Sequence, residues 1–108
     1  MPNDFVSITI VTWNSSQFIK RCLESVLAQK YARSEIIVVD NNSTDCTIDL
    51  LAPFEDRCHI VYNRENLGFA AGQNQAIQLS RGNWVLTLNP DVLLLPGFLQ
   101  SLDRKSVV

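Results

Sequence analysis

The chain has 108 residues, 46% hydrophobic and 19% charged, with a formal net charge of −2, which suits one small globular domain and is too short for two. Eleven acidic against nine basic side chains leave no electrostatic footprint for nucleic acid. No apolar run approaches the ~18 residues of a membrane span, and the opening MPNDF lacks the basic and apolar regions of a secretory leader.

Val6 to Thr12, VSITIVT, is rich in β-branched residues and predicts a first strand. Asn14-Ser15-Ser16 follows and supplies N-cap chemistry, with Ser15 the favoured cap, for a helix over about Gln17 to Gln29. Within it Phe18, Ile19, Cys22, Leu23, Val26 and Leu27 share one face, and Lys20, Arg21 and Glu24 face water. Glu35 to Asp40, EIIVVD, is continuously apolar until its end, as in a parallel strand covered on both faces. Asn42 and Ser43, with Ser43 the favoured cap, introduce a second helix over roughly Thr44 to Phe54. His59 to Asn63, HIVYN, reads as the third strand. The polar, glycine-containing RENLGFAAGQN leads into a third helix ending near Ser80, where Arg81-Gly82 forms a stop. Trp84 to Leu88, WVLTL, is the fourth strand, expected to be buried and central, and Pro96 suits the first turn of a further helix.

Alternating strands and helices predict an α/β domain, βαβ units around a parallel sheet. Such sheets bind ligands beyond the carboxyl ends of their strands. Those ends read Thr12-Trp13-Asn14, Asp40-Asn41-Asn42, Asn63 to Gly68 and Asn89-Pro90-Asp91. Singly, each is an ordinary cap or turn; four at one sheet edge make a candidate ligand site. The turn after the first strand, TWNSSQ, excludes both GxGxxG and the GxxxxGK[ST] phosphate loop. Carboxylates suit hydrogen bonding to a base or ribose, or holding Mg2+ or Mn2+, which need few protein carboxylates beside phosphate oxygens. Asp91, held by Pro90, is the candidate metal ligand. Gly68 suits a loop with positive φ. Gly72 near a helix start costs stability relative to Ala, so either a ligand or a neighbouring element must approach its backbone. Asn74 is expected to face the same cleft.

Three cysteines, Cys22, Cys46 and Cys58, form no CxxC pair, so reduced thiols of a cytosolic protein are expected and Cys22 acts as a small hydrophobe. His59, the single histidine, has no partners at ligand spacing and reads as structural.

The segments SITIVTWNS, EIIVVDNNSTD, NRENLGFAAGQNQAI and LTLNPDVLLLPGFL together resemble family 2 glycosyltransferases of the GT-A fold. The likeness is strongest to the rhamnosyltransferase-like branch, where NPD stands in place of the usual DxD, and runs from about Val6 to Leu102. It implies a Rossmann-like, mostly parallel sheet cut after about four strands, residues 1–108 forming the N-terminal nucleotide-sugar-binding part. It also implies an inverting transfer from a dTDP-, UDP- or GDP-sugar to a glycan or lipid-linked acceptor hydroxyl, in the cytoplasm or at the inner membrane face. Thr12, Asn14, Asp40 and Asn42 would meet the nucleotide, Asp40 its base. Asn66, Gly68, Gly72 and Asn74 would line the donor site. Asn89 and Asp91 would lie by the ribose and diphosphate, with Asp91 on Mg2+ or Mn2+.

Two departures stand out. Asn89 replaces the first carboxylate of DxD, and the family's catalytic base and acceptor half lie beyond the NPD motif, where only Asp103 follows and LDRKSVV leaves the pattern. A truncated, non-catalytic nucleotide-sugar-binding fragment is therefore the alternative, and self-association through an exposed sheet edge is expected of it. A nucleotidyltransferase-type domain would call for a basic, glycine-rich phosphate loop after the first strand, which TWNSSQ is not.

Overall fold

The computed structural model describes residues 4–105, with side chains described as far as Leu102. Strands β1 (Val6–Thr12), β2 (Ser34–Asp40), β3 (His59–Tyr62) and β4 (Trp84–Leu88) alternate with helices α1 (Ile19–Leu27), α2 (Thr47–Leu51), α3 (Phe69–Leu79) and α4 (Phe98–Lys105). The sheet order is β3-β2-β1-β4, and every neighbouring pair is parallel.

The β-branched runs at Val6 and Ser34 form the two central strands because both of their faces are covered. On one face Ile8, Ile10, Ile36 and Val38 pack with Ile19, Cys22, Leu23 and Val26 of α1, and with Leu51, Phe54, Leu94 and Leu99. On the other face Ile37 and Val39 meet Ala76 of α3, with Val61 beside them. Each such side chain, fully buried, contributes about 1.5–3 kcal/mol, so the larger of these two clusters dominates the stability.

Several local expectations need correction. Among the described residues β4 is an edge strand, paired only with β1; Trp84 and Val85 are 48% and 40% exposed. Its composition looked central because an uncovered apolar strand and a buried one have the same residues. Helix α1 begins at Ile19, with Phe18 at the N-cap and no side-chain cap bond. Ser15 instead forms a turn, its carbonyl accepting from the amides of Phe18 and Ile19. Nor does Ser43 cap α2, whose N-cap is Cys46; its hydroxyl is taken up by Asp40. Pro53 shortens α2, since its ring clashes with a continued α-helix, and the chain runs on as a 3-10 turn over Ala52–Phe54. Strand β3 stops at Tyr62, although the Asn63 amide still donates to the Asp40 carbonyl. Pro96 precedes α4, because Gly97 adopts φ 80° and interrupts the helical path before Phe98. Among the described residues no helix is long and apolar enough to cross a membrane.

Candidate functional site

The parallel register sets the strand ends level. Thr12 lies opposite Asp40, Asp40 opposite Tyr62, and the pairing of Leu88 with Ile10 sends Asn89 to Asp91 beyond the same edge. The four clusters therefore share one edge, although their side chains do different work.

Asp40 is fully buried. Its Oδ1 accepts from the hydroxyls of Thr12 at 2.7 Å and Ser43 at 2.6 Å, and Oδ2 accepts from the Ser43 amide at 2.9 Å. A buried carboxylate survives only with such donors, so this one locks the loop after β2 onto β1. Asn14, at φ 48°, completes the lock. Its amide donates to Ser43 Oγ at 2.9 Å, and its own Oδ1 accepts from the amides of Thr44 at 2.8 Å and Asp45 at 3.3 Å. Asp45 then takes the Thr47 amide and hydroxyl on Oδ1 and the Ser16 amide on Oδ2. Burial works against its charge, yet the bonds from Thr47 and Ser16 outweigh it and bring its pKa down to about 2.

Asn41, also buried, ties in the loop after β3. Its Nδ2 donates to the Gly68 carbonyl at 2.9 Å, while its Oδ1 accepts from Asn63 Nδ2 at 2.9 Å and the Leu67 amide at 3.4 Å. Asn63 and Gln75 exchange a reciprocal amide pair at 2.7 and 2.9 Å. Gly68, φ 92°, stands at the N-cap of α3, and its amide bonds Asn66 Oδ1 at 2.8 Å; positive φ explains the glycine. At Gly72 it is a neighbouring element that approaches. A Cβ there would lie 2.9 Å from Val11 Cγ1 and 3.2 Å from Asn41 Nδ2, so α3 rests directly on β1. Asn74 is exposed, and helical phase turns it away from Gly72, Gln73 and Ala76, which meet the sheet.

Above this floor, Trp13, Asn42, Asn66, Asn89 and Asp91 are exposed, Asn42 with φ 62°. No hydrogen bond or ion pair engages the Asp91 carboxylate among the described residues. Beneath it, Cys22 Sγ donates weakly to the Asn89 carbonyl at 4.0 Å; burial first, then the charge of Asp91, pushes this thiol up to about 11. Cys58 is buried as well and Cys46 exposed, all three free, and His59 lies exposed at the start of β3. Among the described residues no three His, Cys, Asp or Glu side chains gather as a metal cage. One free carboxylate beside an exposed amide fits a cation that keeps waters and takes phosphate oxygens, as Mg2+ and Mn2+ do.

The organising roles of Asn41, Ser43, Asp45, Asn63 and Gln75 were not anticipated. A signal existed: DNNSTD, six polar residues of which the first closes a buried strand and five follow it, is more than one helix cap requires.

Residues 7–105 match the family model of glycosyl transferase family 2. The chain belongs to this family. Among relatives, it is 37% identical over 89 residues to TuaG of Bacillus subtilis, a glycosyltransferase named for teichuronic acid biosynthesis, covering 80% of this chain and 35% of that protein. It is 33% identical over 102 residues to the succinoglycan biosynthesis protein ExoO of Rhizobium meliloti, covering 94% of this chain and 29% of that one. This family 2 chain thus spans about a third of the length of those relatives. Among solved structures, TarS of Staphylococcus aureus residues 1–349 superposes with TM-score 0.84 at 23% identity, covering 94% of this chain and 33% of TarS. The mannosyltransferase PcManGT of Pyrobaculum calidifontis, in complex with GDP-Man and Mn2+, gives 0.77 at 27% identity, covering 85% and 29%. The four-stranded parallel sheet with flanking helices is the α/β GT-A fold.

Proposed function

We propose that the chain forms the nucleotide-sugar-binding part of an inverting glycosyltransferase of polysaccharide synthesis, acting with a glycan or lipid-linked acceptor on the cytoplasmic side of a membrane. The supporting observation is the convergence at one sheet edge of a rigid hydrogen-bonded floor, centred on Asp40 and Asn41, with an exposed Asn89-Pro90-Asp91 segment. Names of relatives in teichuronic acid and succinoglycan synthesis and the GDP-Man and Mn2+ complex of PcManGT point the same way.

In this reading Asp40 and Thr12, both fully buried, do not touch the nucleotide as the sequence led one to expect; Asp40 acts by holding in place the loop that meets the base. Thr12 supports that carboxylate. Asn14, Asn42, Asn66 and Gly68 shape the nucleotide side, while Asn89 and Asp91 serve the ribose and diphosphate. Gly72 acts by letting α3 seat against β1, and Asn74 is the least engaged of the set. Asp91 would hold the divalent cation, which when bound neutralises charge gathering on the departing nucleoside diphosphate. The base that deprotonates the acceptor hydroxyl for in-line attack on the anomeric carbon would come from sequence outside these 108 residues. Asp103 lies on α4, its side chain outside the described residues. The NPD sequence favours the rhamnosyltransferase-like branch and, with it, a dTDP-sugar.

Calorimetric titration with UDP, dTDP and GDP, with and without Mn2+, tests the donor site. At least one nucleotide should bind, more tightly with Mn2+; silence from all three would sink the reading. In Asp91→Ala the Mn2+ effect should vanish while metal-free binding persists. A second reading is favoured by the third of its relatives' length that the chain spans: alone, these 108 residues bind donor without turnover, and measurable transfer by them would exclude it.

A further inference from the structure

The segment from Asn89 to Gly97 leaves an edge strand and enters α4 with little regular structure of its own. Its internal backbone bonds are few, among them Val92 N–H to the Asn89 carbonyl, and Leu95 is 76% exposed. It is tied instead to one side of α1. Cys22, Ser25 and Gln29, spaced three and four apart, align on one helical face, Gln29 just past the C-terminal end.

Cys22 reaches the Asn89 carbonyl, as described above. Ser25 Oγ accepts from the Leu94 amide at 3.0 Å while donating to the Cys22 carbonyl at 2.7 Å. Gln29 clamps the far end: Nε2 donates to the Leu95 carbonyl at 2.8 Å, and Oε1 accepts from the Leu99 amide at 3.0 Å. The Gln29 carbonyl accepts in turn from Gln100 Nε2. Gln29 is only 3% exposed, in a region lined by Leu94 and Leu99. A buried polar side chain is costly unless bonded; here one bond returns to the Ser25 carbonyl at 3.3 Å, and the other two fix the register of the segment that follows Asp91. A leucine there would pack, but would not choose where that segment sits along α1.

We propose that Ser25 and Gln29 are positioning residues for Asp91, setting the height of its carboxylate over the Thr12–Asp40 floor and hence the strength of the metal-nucleotide coupling. This rests on the donor-site reading of Asp91. Residues that hold a ligand's carrier in place commonly govern metal affinity by about 10-fold or more.

The test measures the Mn2+ dependence of UDP, dTDP and GDP binding in the full chain, together with amide hydrogen exchange at Leu94 and Leu99. Ser25→Ala and Gln29→Leu should lower the Mn2+ enhancement about 10-fold, leave metal-free nucleotide binding unchanged, and speed exchange at Leu94 and Leu99 respectively while the melt stays cooperative. Ser25→Thr, which keeps the hydroxyl, should behave as wild type. Undiminished Mn2+ enhancement in both variants overturns the inference, as does equal weakening with and without metal, which would mark general damage. Unchanged exchange at both amides overturns it whatever the nucleotides do. A wild-type chain that binds no nucleotide removes the donor-site reading itself, and the exchange arm then still decides whether α1 fixes the segment.

Discussion

Asp40→Asn separates a buried anchor from a residue that only waits for ligand. The carboxylate accepts three hydrogen bonds, two from hydroxyls and one from the Ser43 amide. Bonds to a charged acceptor are worth about 1.5–3 kcal/mol and neutral ones about 0.5–1.5, so neutralisation weakens each by roughly 1 kcal/mol. The asparagine Nδ2 must also face either the hydroxyl pair or the Ser43 amide. The hydroxyl side is the better choice, because a hydroxyl can rotate to accept while an amide cannot. The Thr12 and Ser43 hydroxyls then both lose their acceptor. Against roughly 3 kcal/mol of lost bonding stands the lower desolvation cost of a neutral amide, leaving a net loss of about 2 kcal/mol. Urea unfolding monitored by circular dichroism should show this as a lower midpoint with an unchanged slope. Thr12→Val, which removes one bond to the carboxylate and leaves the other two, should cost about 1.5–3 kcal/mol. A loss below about 0.5 kcal/mol in Asp40→Asn, the level of an ordinary surface substitution, would refute the anchor argument.

Gly72→Ala gains about 1 kcal/mol of helix propensity but drives a Cβ to 2.9 Å from a β-branched Val11, an overpacking cost of about 1–3 kcal/mol; the net loss should turn neutral or favourable in a Val11→Ala background, by the same unfolding assay. The depressed pKa of Asp45, about 2 against an ordinary 3.8, means that its bonds stabilise the fold above the unfolded value and lose that contribution as pH falls through the folded one. Stability should therefore decline between about pH 4 and pH 2 more steeply in wild type than in Asp45→Asn, measured as unfolding midpoints along that range. The uncharged edge of β4 should associate with a second copy, giving concentration-dependent sedimentation that Thr87→Lys abolishes.

The parts of the fold readable along the chain are those written in local pattern. Continuous apolarity at Ile36 to Val39 announced a strand covered on both sides, and the i, i+4 stripe through Ile19, Cys22 and Leu23 announced the buried face of α1; both are buried as expected. The convergence of four strand ends followed from alternation alone, since parallel pairing leaves them no other edge. What escaped was partnership. Whether Ser43 caps its own helix or serves Asp40, and whether Gly72 meets a ligand or Val11, turns on contacts between residues distant in sequence. Pattern fails there because serine and glycine suit both outcomes equally well. The edge position of β4 escaped for a related reason: pairing order is a property of the sheet, and WVLTL has the same composition in the middle or at the rim.

That edge position also explains why the site divides into two mechanically different halves. Thr12 and Asp40 end strands flanked on both sides, so their geometry is fixed by the ladder and by buried charge-assisted bonds. Asp91 follows a strand with one neighbour, and the ladder alone would leave its loop free to drift. Its position must be set by the layer beneath, and the polar groups that α1 turns toward Asn89, Leu94, Leu95 and Leu99 are where that constraint is found. Substitutions on α1 should therefore act on the metal-dependent half of binding, and substitutions around Asp40 on the whole of it, a division that neither the strand ends nor the NPD segment would suggest alone.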